Sequence, residues 1–225
     1  PTERNQMRDF VVADLGLDGG KKTVTVFNHC VSDALGVNVE NFEDLAAWFE
    51  AVADFAVQQP EVNWLFLDHP TQFAYDDTDF FGSVASRHLE REHMHFYPSL
   101  HIPKNALWSV TDYGVTLRGS VAGELPAYGI PVLQAGYSPW SLCDVSIQAH
   151  TQAEFWTLLG DAVDRLSRGS TPAPELDADR ARTWMWFYRK ATDITTPLVP
   201  PWSHEPGNDL LQQLTATFDQ HSLDS

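Results

Sequence analysis

Short apolar runs that stop abruptly in polar residues recur along this chain, and helical stretches separate them. Residues 23–27 are β-branched and continuous and end in Asn28-His29, and residues 62–67 end in Asp68-His69-Pro70. Residues 113–117 end in Arg118-Gly119-Ser120, and residues 131–135 lead into a polar stretch from Gln134 to Trp140. A run that is apolar throughout, rather than alternating, belongs in a strand buried on both faces, and such strands are parallel. Between the runs, Leu45, Trp48, Phe49, Val52, Phe55 and Ala56 recur at helical spacing over 42–57, and Pro60 stops that helix. Further helices are expected over 79–92, 105–110, 120–128 (despite Pro126) and 151–166, with a short strand over 94–97. The crossovers are long enough for parallel βαβ units, so the expected fold is α/β, a doubly wound parallel sheet of the Rossmann-like kind with helices on both faces.

The flanks read differently. The first 22 residues are polar, with a turn over 15–20. Residues 169–174, rich in Ser, Thr and Pro, read as a linker. A sheet domain is therefore expected over 1–170 and a C-terminal helical extension over 171–225, with helices over 177–191 and 208–218 flanking a Pro-rich segment. The chain opens on Pro1 rather than Met, which leads us to expect an excised piece of something longer.

Charge narrows the function classes. Lys and Arg number 14 against 31 Asp and Glu in 225 residues, a formal net charge of −17, which argues against a protein that tracks nucleic-acid phosphates over a basic face. It leaves room for one local anion pocket. The apolar share of 43% is that of a chain with a core. Two cysteines, Cys30 and Cys143, make no secreted disulfide framework, so a reducing, cytoplasmic setting is expected. No apolar run approaches the ~20 residues of a membrane span.

In an open parallel sheet, ligands bind beyond the C-terminal strand ends. A strand ending in Arg118-Gly119-Ser120 and entering a helix suits a phosphate: glycine admits the anion, serine adds a hydroxyl donor, and arginine adds a forked cation. A glycine turn with a serine N-cap explains the same residues without a ligand. Glu124, four residues after Ser120, shares its helix face and is placed to accept from ribose hydroxyls, or is simply a solvated helix carboxylate. His69, held extended by Pro70, can donate to a phosphate or protonate a leaving group, or can bond a neighbouring backbone group. His88, His93, His95 and His101 match no common zinc spacing, and Asp76, Asp77 and Asp79 read as an acidic loop, so no metal cofactor is expected. A nucleophile elbow fails because Arg118 stands where glycine is needed, and the dinucleotide fingerprint is absent.

The order of these pieces is a strand ending in His-Pro, a strand running into Gly-Ser with Glu four residues on, then YGIPVLQAGYSPWS. It resembles the C-terminal donor-binding half of GT-B glycosyltransferases, over about residues 22–159. Within that superfamily it most resembles the bacterial enzymes of capsular and surface polysaccharide synthesis, including Kdo and sialyl transferases. The resemblance implies a nucleotide-sugar donor held in an interdomain cleft. His69 would be the catalytic contact to the donor phosphate, Gly119 and Ser120 would hold phosphate with Arg118 alongside, and Glu124 would bind the ribose. Ile102, Pro103, Lys104 and Asn105 would flank the base by main chain. Ser138 and Trp140 would lie near phosphate or sugar, and Asn28, His29 and Asp33 would face the cleft.

The same resemblance implies a glycan acceptor, an N-terminal GT-B domain in cis supplying the base, and no cofactor beyond the donor. Magnesium is not required by the sequence, and any association with the inner membrane face would come from segments outside this chain. Alternatives on the same scaffold are a GT-B-type nucleotide-sugar epimerase and a non-catalytic sugar-nucleotide sensor or capsule-export subunit.

Overall fold

The computed structural model describes residues 3–31, 41–72, 78–172, 177–191 and 215–216. Six strands form one parallel sheet: β1 (Thr23–Phe27), β2 (Asn63–Leu67), β3 (Met94–Tyr97), β4 (Tyr113–Thr116), β5 (Val132–Gln134) and β6 (Ile147–Gln148), in the order β3-β2-β1-β4-β5-β6. This is the doubly wound, Rossmann-like arrangement expected from the alternation of apolar runs and helices. Register is set by β1, which pairs Thr23 with Asn63 through Phe27 with Leu67 on one side and Val24 with Tyr113 through Phe27 with Thr116 on the other.

The period of two along each strand divides the core into two layers. Val24, Val26, Trp64, Phe66, Val115 and Leu133 face one side, where α2 (Leu45–Val57) and α6 (Gln152–Ser167) cover them with Trp48, Phe49, Val52, Phe155 and Leu159. Phe27, Leu65, Leu67 and Val132 face the other, against α1 (Glu3–Asp14), α4 (Lys104–Val110) and α5 (Val121–Ala127). Aromatic rings fill the first layer at close range: Phe66 stacks on Phe96 at 4.7 Å, and Phe42 meets Phe155 edge-on at 5.3 Å. Helix ends are fixed by side chains. Asp44 accepts from the Ala47 N–H at 2.7 Å to start α2, and Thr151 accepts from the Glu154 N–H at 3.1 Å to start α6.

Several elements differ from the sequence-based expectation. Helix α1 occupies the polar first segment, for which the sequence suggested no element. Its polar face hides a tertiary anchor, because Arg8 donates to Ser109 O, Val110 O and Asp112 Oδ2 at 3.2, 3.0 and 2.8 Å, while Val11 is buried. Gly16, at φ +66°, ends it where the turn was expected. The helix expected over 79–92 is only α3 (Phe80–Ser86), since Leu89 beyond it stays 79% exposed and gives a longer helix no apolar face. Strand β6, two residues long, carries no sequence signal and forms by pairing Leu133 with Ile147.

The chain divides into two compact units, Pro1–Met185 and Trp186–Ser225. Helix α7 (Ala178–Trp186) gives way to a π-helical turn, Phe187–Ala191, within the stretch expected to be one helix over 177–191. Trp184 and Met185 pack on the second core layer, whereas Trp186, Phe187 and Tyr188 are exposed. Of the helix expected over 208–218, only residues 215–216 are described, as helical. No helix among the described residues is long and apolar enough to cross a membrane.

A β-carbon added at Gly114, in β4, meets Leu125 Cδ1 at 2.7 Å and Val132 Cγ2 at 3.0 Å, both fully buried. Gly114→Ala is expected to lower unfolding free energy by about 1–3 kcal/mol in urea titration, the cost of overpacking a filled core.

Candidate functional site

The sheet reverses its winding between β1 and β4, so the crossovers from these neighbouring strands leave towards opposite faces and a crevice stays open at their C-terminal ends. A cleft of about 340 Å³ lies there. Phe27, Asn28 and His29 line it from β1, Leu67, Asp68, His69 and Pro70 from β2, and Thr116 with Arg118 to Val121 from the β4–α5 junction. Ser99, Ile102, Lys104, Leu107 and Trp108 close the side next to β3 and α4. The volume is that of a small-molecule site.

The structure thus brings Asn28, His29, His69, Lys104, Arg118, Gly119 and Ser120 to one cleft. Glu124 stands one turn behind, largely buried, with both oxygens engaged. It accepts from Ser120 Oγ at 3.0 Å and from Lys104 Nζ at 2.8 Å, tying α4 to α5 behind the cleft. The Ser120 hydroxyl therefore makes no N-cap bond and spends its donor on Glu124. Ser138 and Trp140 lie outside the lining. Ser138 donates to Gln134 Oε1 at 2.6 Å and caps the 3₁₀ turn Pro139–Cys143, and Trp140 is buried in the second core layer against α5. Asp33 lies outside the described residues.

Two features of the cleft lining bear on what it can hold. The first is Gly119, whose N–H donates to Thr116 Oγ1 at 3.1 Å; an added β-carbon would sit 2.9 Å from that oxygen and 3.5 Å from His29 Nε2. Only glycine lets the backbone approach here. The second is Asn28, 5% exposed, whose Oδ1 accepts from the His29 N–H at 2.9 Å while its Nδ2 finds no acceptor among the described residues. An orphaned buried amide costs about 1–3 kcal/mol, which a ligand oxygen would offset. The Ser99 hydroxyl in the same lining is likewise buried without a partner among the described residues.

The two cleft histidines are stacked, with ring centroids 6.4 Å apart and planes 13° from parallel. His29 Nε2 accepts the Arg118 N–H at 3.3 Å, and His69 Nδ1 accepts the Thr71 N–H at 3.3 Å. Formal charges around the cleft cancel, Lys104 and Arg118 standing against Asp68 and Glu124. The carboxylates are occupied, however: Asp68 Oδ1 accepts the Ser99 N–H at 2.6 Å, and Glu124 holds Lys104. Asp68, Ser99, Thr116 and Trp108 escaped the sequence reading as site residues; only Asp68, at a polar strand end, carried a signal there. His88, His93 and His95 have separate local surroundings. His88 stacks on Phe96 at 6.0 Å, His93 Nε2 contacts Ala56 O at 3.0 Å, and burial pushes the His88 and His95 pKa values below the usual imidazole range. No group of three metal-ligating side chains gathers among the described residues.

No protein-family model matches the chain, and no curated protein matches it. Among solved structures it is similar to the wall teichoic acid polymerase TagF, at a TM-score of 0.47 and 10% identity, over 81% of this chain and 43% of that one. It is also similar to S. aureus MnaA solved with UDP, at a TM-score of 0.47 and 13% identity, over 83% of this chain and 50% of that one. The chain spans no more than about half of either. Similarity at this level carries no argument about what the chain binds or does, and the fold assignment rests on its own strand order.

Two outcomes follow from the geometry. Gly119→Ala is expected to leave the fold intact by circular dichroism while weakening any phosphate-bearing ligand of the cleft about tenfold or more in calorimetry, through the displaced Thr116 hydroxyl. Burial lowers the His95 pKa in the folded protein, so below the ordinary value of 6.5 the unfolded chain binds the proton more readily and stability falls as the pH drops from 7 to 5. Urea titrations of wild type and His95→Phe at both pH values are expected to show the smaller acid loss in the variant.

Proposed function

We propose that the chain is a nucleotide-sugar-binding domain, the donor half of a GT-B-type glycosyltransferase acting in capsular or other cell-surface polysaccharide synthesis. The observation that carries this reading is the cleft itself. It opens at the β1/β4 reversal and combines a glycine that admits a close anion, two cationic side chains and a buried amide with an unspent donor. An acidic protein that keeps Arg118, Lys104 and two histidines at one crevice offers a local place to an anion.

In this reading the donor phosphates lie along Gly119 and Ser120, with Arg118 and His69 on their oxygens. The ribose is held by Glu124, which exchanges its bond to Ser120 or Lys104 for the sugar hydroxyls. The base lies against the main chain of Ile102, Pro103, Lys104 and Asn105. Asn28 and His29 stand on the β1 side of the same ligand. When an acceptor hydroxyl attacks the anomeric carbon, the bond to the nucleotide phosphate breaks and negative charge gathers on the leaving oxygen. Donors already in place stabilise that charge without reorganising, which is the largest contribution a protein makes to such a transfer. The acceptor site and the base that takes the hydroxyl proton belong, on this reading, to an N-terminal domain.

The test is a thermal-shift and calorimetric titration against CMP, UDP, GDP and their sugar conjugates, with and without Mg²⁺. One nucleotide is expected to raise the melting temperature, independently of Mg²⁺, and Glu124→Ala is expected to weaken it by about tenfold or more, the loss of bonds to a charged acceptor. No response to any of them at millimolar concentration overturns the reading.

A further inference from the structure

The ring of His69 is held from behind by a second set of residues. After β2 the chain makes a tight turn in which the Gln72 N–H bonds His69 O at 2.9 Å, with Pro70 and Thr71 at its centre. The turn aims the Thr71 N–H back at His69 Nδ1, at 3.3 Å, and brings Thr71 Oγ1 to 3.0 Å from the same nitrogen. From the end of β1, Cys30 places Sγ 2.9 Å from Nδ1 and 3.4 Å from Thr71 Oγ1. The thiol is 2% exposed and sits outside the cleft lining, so it does not itself meet a ligand.

We propose that Cys30 is a positioning residue that, with Thr71, fixes His69 as the neutral imidazole protonated on Nε2. A peptide N–H can only donate, so the nitrogen it bonds has an open lone pair and carries no proton of its own. On this proposal the buried Cys30 is a thiol whose S–H donates to the same lone pair. The ring's one proton is therefore on Nε2, on the edge away from Cys30 and Thr71. His69 meets the cleft as a hydrogen-bond donor, not as a base. The inference rests on the proposed nucleotide site only for its use there, where a neutral Nε2–H suits the oxygen of a leaving phosphate.

Among the described residues, the titratable and charged groups near the ring are His29, Asp68, Lys104 and Arg118. His29 stacks on its face, and its own Nε2 accepts the Arg118 N–H, so that ring carries its proton on Nδ1. Asp68, the preceding residue, has Oδ1 taken by the Ser99 N–H. Lys104 and Arg118 elsewhere in the lining disfavour further positive charge.

The experiment is ring ¹⁵N NMR of the histidines across pH 5–9, without ligand, in wild type, Cys30→Ala and Cys30→Ser. Wild type is expected to show His69 protonated on Nε2 alone at pH 7. Cys30→Ala, having lost a donor to Nδ1, is expected to titrate about half to one pH unit higher, the size of one hydrogen bond to the neutral ring. Cys30→Ser, which keeps a donor, is expected to return towards wild type, a rescue that mere cavity filling does not give. A proton on Nδ1 in wild type, or identical titrations in wild type and Cys30→Ala, overturns the proposal. Thiolate absorbance at pH 7 in a Cys143→Ser background, which leaves Cys30 as the sole thiol, overturns it without any Cys30 variant having to fold. Because no ligand is present, these outcomes stand apart from the nucleotide titration: a silent titration with the expected tautomer removes the proposed function and leaves the positioning role.

Discussion

The reversal of winding between β1 and β4 is the constraint on which the site depends. A strand buried on both faces carries few polar side chains within its length, and those it has need a partner, as Thr25 has in Thr111, so most of its polar residues collect at its ends. At most strand ends the following crossover folds over them. Between β1 and β4 the two crossovers depart to opposite faces, and the polar ends stay uncovered. Asn28, His29, Arg118 and Gly119 converge there because neighbouring strands hold them in register, Phe27 beside Leu67 and Thr116. The architecture comes first, and the chemistry of the cleft is what the chain places at that reversal.

That logic explains what could be read from the sequence and what could not. Strands announced by continuous apolar runs, such as Thr23–Phe27 and Asn63–Leu67, were legible because double burial leaves a local signature. Residues at their ends were legible as a cleft for the same reason. Helix α1 was not, because what holds it is Arg8 reaching Ser109, Val110 and Asp112, about a hundred residues away. The shortness of α3 was not, since only the tertiary surroundings show that Leu89 has nothing to pack on. Ser138 and Trp140 stood in a motif yet serve the 3₁₀ turn and the core behind α5, a distinction that spacing alone does not make. Cys30 had the opposite fate: its residue type was noted, but its partner lies 39 positions on and becomes a neighbour only through the β1–β2 pairing.

The cleft also shows where stability has been yielded. A well-satisfied interior would give the Asn28 amide an acceptor and the Ser99 hydroxyl a partner, and neither has one among the described residues. Many buried polar groups elsewhere are paired: Asn63 Nδ2 donates to Asp18 O, Trp64 Nε1 to Gln59 O, and Thr25 shares a hydrogen bond with Thr111, although Trp48 Nε1 and His95 Nε2, outside the cleft, also lack a partner among the described residues. Each such orphaned group is a cost that folding alone does not recover.

Gly123, on the back of α5, has no room for a methyl group: an added carbon would lie 2.6 Å from the Trp140 ring and 2.8 Å from the Met185 sulfur. Trp140 belongs to the loop after β5, and Met185 is the last residue of the first compact unit. The helix that carries Ser120 and Glu124 is thus wedged from behind by two distant parts of the chain. The Ser-, Thr- and Pro-rich stretch near residue 170 invites trimming as though the domain ended there. A protein shortened at that point would lose the sulfur from beneath α5, and with it part of the foundation of one wall of the cleft.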